Sequence, residues 1–332
     1  MELDPLRRAA TAAPDGLPVV REVVRGVLGR AFGGPTFSLE EGDAGLYGPG
    51  SASWRVLAEP AAIVGGIRAL LVQLLHPLAM AGVAEHSAFR TDPLGRLQRT
   101  SAYVTATAFG TTEDALSVAA RVRHGHTHVR GVAPDGRPYA ADDPHLLRWV
   151  SIALTSSFLA AYRVYAPEPL APGEADAFVD EQARAAALLD PDVDLDAIAG
   201  DPERRAALAA DRLPLPQRDD ATLPRSEAEL AAALAAYDDE LAVGAQGREA
   251  VRFLRWPPIG ALRAGYLPLF SAAVASLEPS QRRLLGLPGP ALAYLPARES
   301  GRALLTALRL ATGTSPAARA AAARSAAVDP AA

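Results

Sequence analysis

Apolar side chains recur along this chain at spacings of three and four, the period of a helix, and almost never in strict alternation. Residues 17–32 carry Val19, Val20, Val23, Val24, Val27 and Leu28 between charged positions and predict an amphipathic helix. A glycine-rich loop runs from Gly33 to Gly50, and Ser53 is a suitable cap for a helix carrying Trp54, Val56 and Leu57. The apolar stretch 60–84 divides at Pro77, which cannot continue a helix, into two buried helices. Further helices are expected at 94–109, stopped by Gly110, and at 113–130, with Thr112 as cap and Gly131 as stop. Pro134, Asp135 and Gly136 suit a tight reversal between short strands. Helical patterns resume at 145–165, 174–189, 227–243 behind a Ser226/Glu229 capping box, 246–254, 260–276 and 279–286. The Asp- and Pro-rich segment 190–225 reads as a surface excursion with a charged helical island at 201–212. The expected class is all-α: a flexible arm over 1–16, one large bundle-like domain over 17–312 and an alanine-rich disordered tail over 313–332.

Composition narrows the chemistry. Of 332 residues, 49% are hydrophobic, enough for a sizeable core. All 33 basic residues are arginine, and the net charge of −5 offers no basic field for nucleic acid. The absence of cysteine excludes disulfides, thiolate nucleophiles, iron–sulfur clusters, Cys-rich zinc sites, thiolate-ligated haem and covalent haem attachment. After Arg7 and Arg8, Pro14, Asp15 and Gly16 interrupt any apolar run, so no export signal is expected and the protein reads as cytoplasmic. Arg68, Gln73, His76 and Pro77 spoil the nearest approach to a transmembrane span.

Chemistry concentrates in three places. In 113–131 the helical period of about 100° per residue gathers Ala115, Val118, Ala119, Val122 and Val129 around His126, and sends His124 and His128 to the opposite side. An inward imidazole requires a hydrogen-bond acceptor, a carboxylate or a metal. On helix 94–109, Arg96, Arg99, Thr100, Tyr103 and Thr107 share one face. Facing solvent, it is an ordinary wet surface; facing inward, it suits haem propionates, bound dioxygen or an anionic intermediate. Between them, Glu85, His86, Arg90 and Asp92 crowd one connection, with Asp92 placed as a helix cap and His76 ending the helix before Pro77. The HExxH signature, a G-x-S-x-G elbow and a Walker loop are all missing.

The ordered series Trp54-Arg55-Val56, GGIRALLVQLLHPLAMAGVAEHSAFRTDPLGRLQRTSAYV (65–104), VRHGHTHVRG (122–131) and Tyr139 to Trp149 resembles the MpaB/rubber oxygenase family, which includes the latex-clearing proteins. The resemblance is good over 45–165 and weaker through LPRSEAELAAALAAY (223–237) to LLGLPG (284–289). It implies an all-helical fold around one non-covalent haem b, acting with dioxygen on an apolar small molecule. It also implies that His126 is the proximal iron ligand, because His126 aligns with the ligand histidine of the latex-clearing members. Arg96 and Thr100 match an arginine and a threonine beside the distal haem face, and Arg99 stands where those members have a lysine that approaches the iron. Arginine does not give up its proton, so Arg99 is no iron ligand. Tyr103 joins the cofactor-binding face, and Glu85 or His86 is placed as a base near substrate. Rubber itself is a poor candidate substrate, being an extracellular polymer. The resemblance leaves room for a redox partner and is silent on oligomeric state. Two other readings stay open: a non-haem metal enzyme using His76, His86, Glu85 and His126, and a non-catalytic haem- or lipid-binding protein.

Overall fold

Local caps decide where several of these helices begin. The computed structural model of the chain describes residues 37–38, 43–220, 222–287, 289–313 and 315–328. The helix expected over 17–32 and the arm over 1–16 lie outside them. The first half contains α1 (Ala52–Ala58), α2 (Ala61–Gln73), α3 (Pro77–His86), α4 (Pro93–Phe109) and α5 (Thr112–His126). A hairpin of β1 (Arg130–Val132) and β2 (Pro138–Ala140) follows, with Arg130 opposite Ala140 in antiparallel register. Then come α6 (Pro144–Tyr165), α7 (Glu174–Ala187), α8 (Leu195–Gly200), α9 (Pro202–Ala209), α10 (Pro216–Asp219) and α11 (Glu227–Ala235). The chain closes with α12 (Ala245–Arg255), α13 (Arg263–Ala275), α14 (Pro279–Leu284), α15 (Leu295–Thr312) and α16 (Pro316–Val328). The class is all-α, the hairpin being the only sheet among the described residues.

Two caps fall one or two residues away from the positions expected. Ser51 rather than Ser53 accepts the Trp54 amide and opens α1. Thr111 rather than Thr112 opens α5, through a reciprocal capping box with Asp114. Asp92 caps α4 as the sequence indicated, accepting from the Gly95 amide at 2.9 Å. α11 stops at Ala235, eight residues short of the expected 243, because Tyr237 turns inward and the chain continues as a short 3-10 turn, Asp238–Glu240.

α2 and α6 form the central pair, crossing where Gly65 lies against Phe158. A Cβ at Gly65 would sit 2.6 Å from the Phe158 ring and 3.0 Å from its Cα. Backbone cannot yield there, so Gly65→Ala is expected to destabilise the protein by about 1–3 kcal/mol, the usual range for overpacking. A lowered midpoint in urea unfolding checks it. Arg68, 3% exposed, stitches α2 to its neighbours by donating to Ser157 Oγ (2.9 Å), Gln281 Oε1 (3.2 Å) and the Ser276 carbonyl (3.3 Å). Burial pushes its guanidinium down to about 10, still charged at neutral pH, with Glu278 opposing the shift.

Two expectations are corrected. The segment 190–225 is no loose excursion: Leu208, Leu215 and Leu223 are buried in the core, and Arg218 holds Asp180 (2.8 Å) and Asp211 (2.5 Å). The alanine-rich tail forms α16 over most of its length; Ala318 and Ala321 are buried, and Arg324 donates to the carbonyls of Ser38 and Phe109. Small side chains allow close docking, which composition alone does not reveal.

No single helix among the described residues is long and apolar enough to cross a membrane. α1 and α2 together reach that length and composition, but they meet at 90°.

Candidate functional site

The apolar faces of α2, α3 and α4, facing α12, α13 and α15, line a cavity of about 550 Å³. That volume falls within the range of small-molecule sites, which are mostly apolar with a few placed polar groups. Here those groups are Gln73, Arg96, Thr100, Ser101, Thr105 and Ser315, on walls built mainly by residues such as Leu70 and Phe253. No histidine or carboxylate of the described residues lines it.

Arg96 and Thr100 reach this wall because they lie one turn apart on α4. Arg96 Nη1 donates to Ser87 Oγ at 2.5 Å, which fixes the side chain against the α3–α4 connection. Burial first, and the neighbouring Arg99 second, push its guanidinium down to about 10, so it stays a cation at neutral pH. Thr100 donates its hydroxyl proton to the Arg96 carbonyl (3.2 Å), leaving lone pairs but no proton for a ligand. The rest of the predicted polar face divides. Arg99 is exposed and reaches Asp92 at 3.5 Å. Tyr103 donates to the Ala185 carbonyl at 3.1 Å, so its hydroxyl joins α4 to α7, and burial raises its pKa. Thr107 is buried and bonds back to the Tyr103 carbonyl at 2.9 Å.

His126 is the last residue of α5. Ala115, Val118 and Ala119 are buried as the helical period requires, whereas Val122, His126 and Val129 are half-buried. The helix ends at 126, so a helical wheel drawn to Val129 runs past it. His124 and His128 are exposed, their rings 5.0 Å apart, with His128 Nδ1 2.9 Å from the His124 carbonyl. Burial pushes the His126 pKa down against a small opposing pull from Asp142, which keeps the ring neutral at pH 7. Neither ring nitrogen is in a hydrogen bond with the described residues. His126 is not on the cavity wall.

Glu85 and His86 meet the hairpin instead of the cavity. Tyr139 donates to Glu85 Oε2 at 2.5 Å, and its hydroxyl lies 3.2 Å from His86 Nε2. Burial, then Glu85, raises the Tyr139 phenol to about 12. A side chain at Gly131 would strike that hydroxyl at 2.6 Å, which accounts for the glycine in β1.

The sequence did not single out a second cluster. His76, fully buried, has Nε2 3.2 Å from Glu240 Oε2, while His145 Nε2 lies 2.9 and 3.0 Å from the two Glu240 oxygens. Burial holds the His76 pKa down against the pull of Glu240. These residues come from the α2–α3 break, the first turn of α6 and the 3-10 turn after α11. His76 and Glu240 are 164 positions apart, so no local pattern could have paired them. The non-haem set His76, His86, Glu85 and His126 is not assembled: the candidate metal group among the described residues holds only His76 of those four.

Residues 54–312 match a family model described as ER-bound oxygenase mpaB/B'/Rubber oxygenase, catalytic domain. No curated protein matches the chain, and no solved structure does.

Proposed function

The chain belongs to the mpaB/rubber oxygenase family, whose catalytic domain spans residues 54–312 here, and from that premise we propose a haem b-dependent oxygenase acting with dioxygen on an apolar, lipid-like small molecule. The observation that carries the substrate class is the cavity of about 550 Å³, whose wall is apolar except for a few groups led by Arg96. Burying an apolar substrate there contributes roughly 25 cal/mol per Å² of surface removed from water.

His126 is the single imidazole whose donor chemistry suits an iron, and it stands off the cavity wall that carries Arg96. His126 is neutral, half-buried and without a ring hydrogen bond to the described residues, so a ring lone pair is open to a metal. His126 would hold the iron, and Arg96 would pair with anionic edges of the macrocycle. When bound, the haem supplies the oxygen-activating chemistry. The chain's own residues supply the rest. Arg96 holds a fixed positive charge at a low-dielectric wall, where it stabilises developing negative charge more strongly than in water. Thr100 offers an acceptor beside it. The hydrocarbon side chains from α2, α12 and α13 exclude water from the substrate. Arg99 and Glu85 are exposed and stand off the cavity wall, so neither is assigned a part in the reaction, and Tyr103 positions α4 against α7.

The test is an absorption spectrum of the purified full chain supplied with haem, followed by oxygen uptake with alkenes, terpenoids and lipids. A haem band with uptake on at least one apolar substrate supports the proposal. No band overturns the haem assignment; a band without uptake favours a haem-binding protein that lacks turnover. Within the same assay, Arg96→Met should keep the band and lower kcat/KM by roughly 10²–10³, the range for losing one electrostatic stabiliser.

A further inference from the structure

We infer that His76, His145 and Glu240 form a divalent-cation site of the zinc type, separate from the apolar cavity and independent of the haem proposal. Two imidazoles and a carboxylate are a familiar zinc donor set, with ligand bonds of about 2.0–2.2 Å that place neighbouring donors of a tetrahedron about 3.4 Å apart. The donor atoms here lie 2.9–3.2 Å from one another across Glu240, and all fall within 4.8 Å. At Glu240 a cation would spread the donors by a few tenths of an ångström, and the two imidazole nitrogens lie within 4.8 Å of one another.

The three ligands are held by independent contacts. His76 sits in extended backbone at the start of α3, fully buried, with its ring 5.8 Å from that of Trp149. The His145 amide donates to Asp143 Oδ1 at 2.8 Å, and its carbonyl accepts the buried Tyr237 hydroxyl at 2.9 Å. The Tyr237 ring packs against both imidazoles, at 4.5 Å from His145 and 6.1 Å from His76. The Ala242 amide donates to the Leu75 carbonyl at 2.8 Å, which ties the segment carrying Glu240 to the residue before His76. Side-chain rotamers locked in this way lower the cost of assembling a metal site. The side chains of His145 and Glu240 are 50% and 32% exposed, so an ion has a route from solvent and the fourth position is open to water.

His76 Nδ1 is buried with no hydrogen-bond partner among the described residues. Binding a cation at Nε2 moves the ring proton to Nδ1, where no acceptor waits. Missing outer partners of this kind weaken metal sites by roughly 10–100-fold, so the site should bind more weakly than a fully supported one. The expected function is a staple: one ion would join the α2–α3 break, the α6 N-terminus and the turn after α11, none of which is a sequence neighbour of another.

The experiment uses the full chain, stripped with a chelator and then titrated with Zn²⁺ by calorimetry, with Co²⁺ as a visible-absorption probe of four-coordinate geometry. One equivalent is expected, together with a raised Tm. His145→Ala, chosen because that ring is half exposed and its loss leaves the core intact, should weaken binding at least tenfold; Glu240→Gln should do the same. Wild-type protein that takes up no zinc overturns the inference. Equal affinity in wild type and both variants overturns it as well.

Discussion

Replacing His126 with alanine is expected to abolish the haem band of protein supplied with haem, while changing the stability of the haem-free chain by less than about 1 kcal/mol. The small stability effect follows from the ring's surroundings. His126 is half-buried at a helix end, makes no side-chain hydrogen bond among the described residues and fills no closed core, so its removal belongs with near-surface substitutions. The large cofactor effect follows from the donor inventory. The chain has six histidines and no cysteine. His124 and His128 are exposed and face one another, His86 is engaged with the hairpin, and His76 and His145 share Glu240. His126 is the histidine left without a side-chain hydrogen bond among the described residues. A band of undiminished intensity in His126→Ala would move the iron to another residue. Absence of the band in the wild type would instead favour an iron-free binding cavity, a reading consistent with the lack of an imidazole on its described wall.

A contrast between adjacent glycines gives the second large effect. Gly66 lines the cavity, and a Cβ built there meets nothing within 4 Å. Gly66→Phe should therefore fold at least as stably as the wild type, since removing glycine from a helix interior contributes roughly 0.5–1 kcal/mol. Its ring would occupy space proposed for substrate, so kcat/KM should fall by at least about tenfold, the cost of about 1.4 kcal/mol of lost binding. Gly65, one residue earlier, faces α6 and should respond in the opposite way, losing stability on substitution by alanine alone. Thermal unfolding and turnover measured on both variants separate the two faces of α2. Undiminished turnover in Gly66→Phe would place the substrate elsewhere.

Much of the helical order could be read from apolar spacing and caps: the break at Pro77, the Asp92 cap, the stop at Gly110 and the capping box at Ser226 are all local features, carried by residues within four positions of one another. α15 went unrecognised although its last turns bury Leu305 and Arg309. Its apolar residues are interrupted by Arg298, Arg302 and Arg309, whose charged ends find carbonyls on other helices. The polar face of α4 was recognised as a set, but its members face different neighbours. A helical wheel assigns residues to a stripe about 100° wide, whereas a cavity wall covers only part of that stripe.

Helix periodicity, the donors available and membership of an oxygenase family are properties of the linear chain, because each depends on residue type and short-range or ordered spacing. The cavity, the splitting of the α4 face and the meeting of His76 with Glu240 depend on which helices pack together. Those arrangements arise from close contacts such as Gly65 on Phe158 and from side chains brought together across long loops, and such contacts leave no periodic trace in the residues between them.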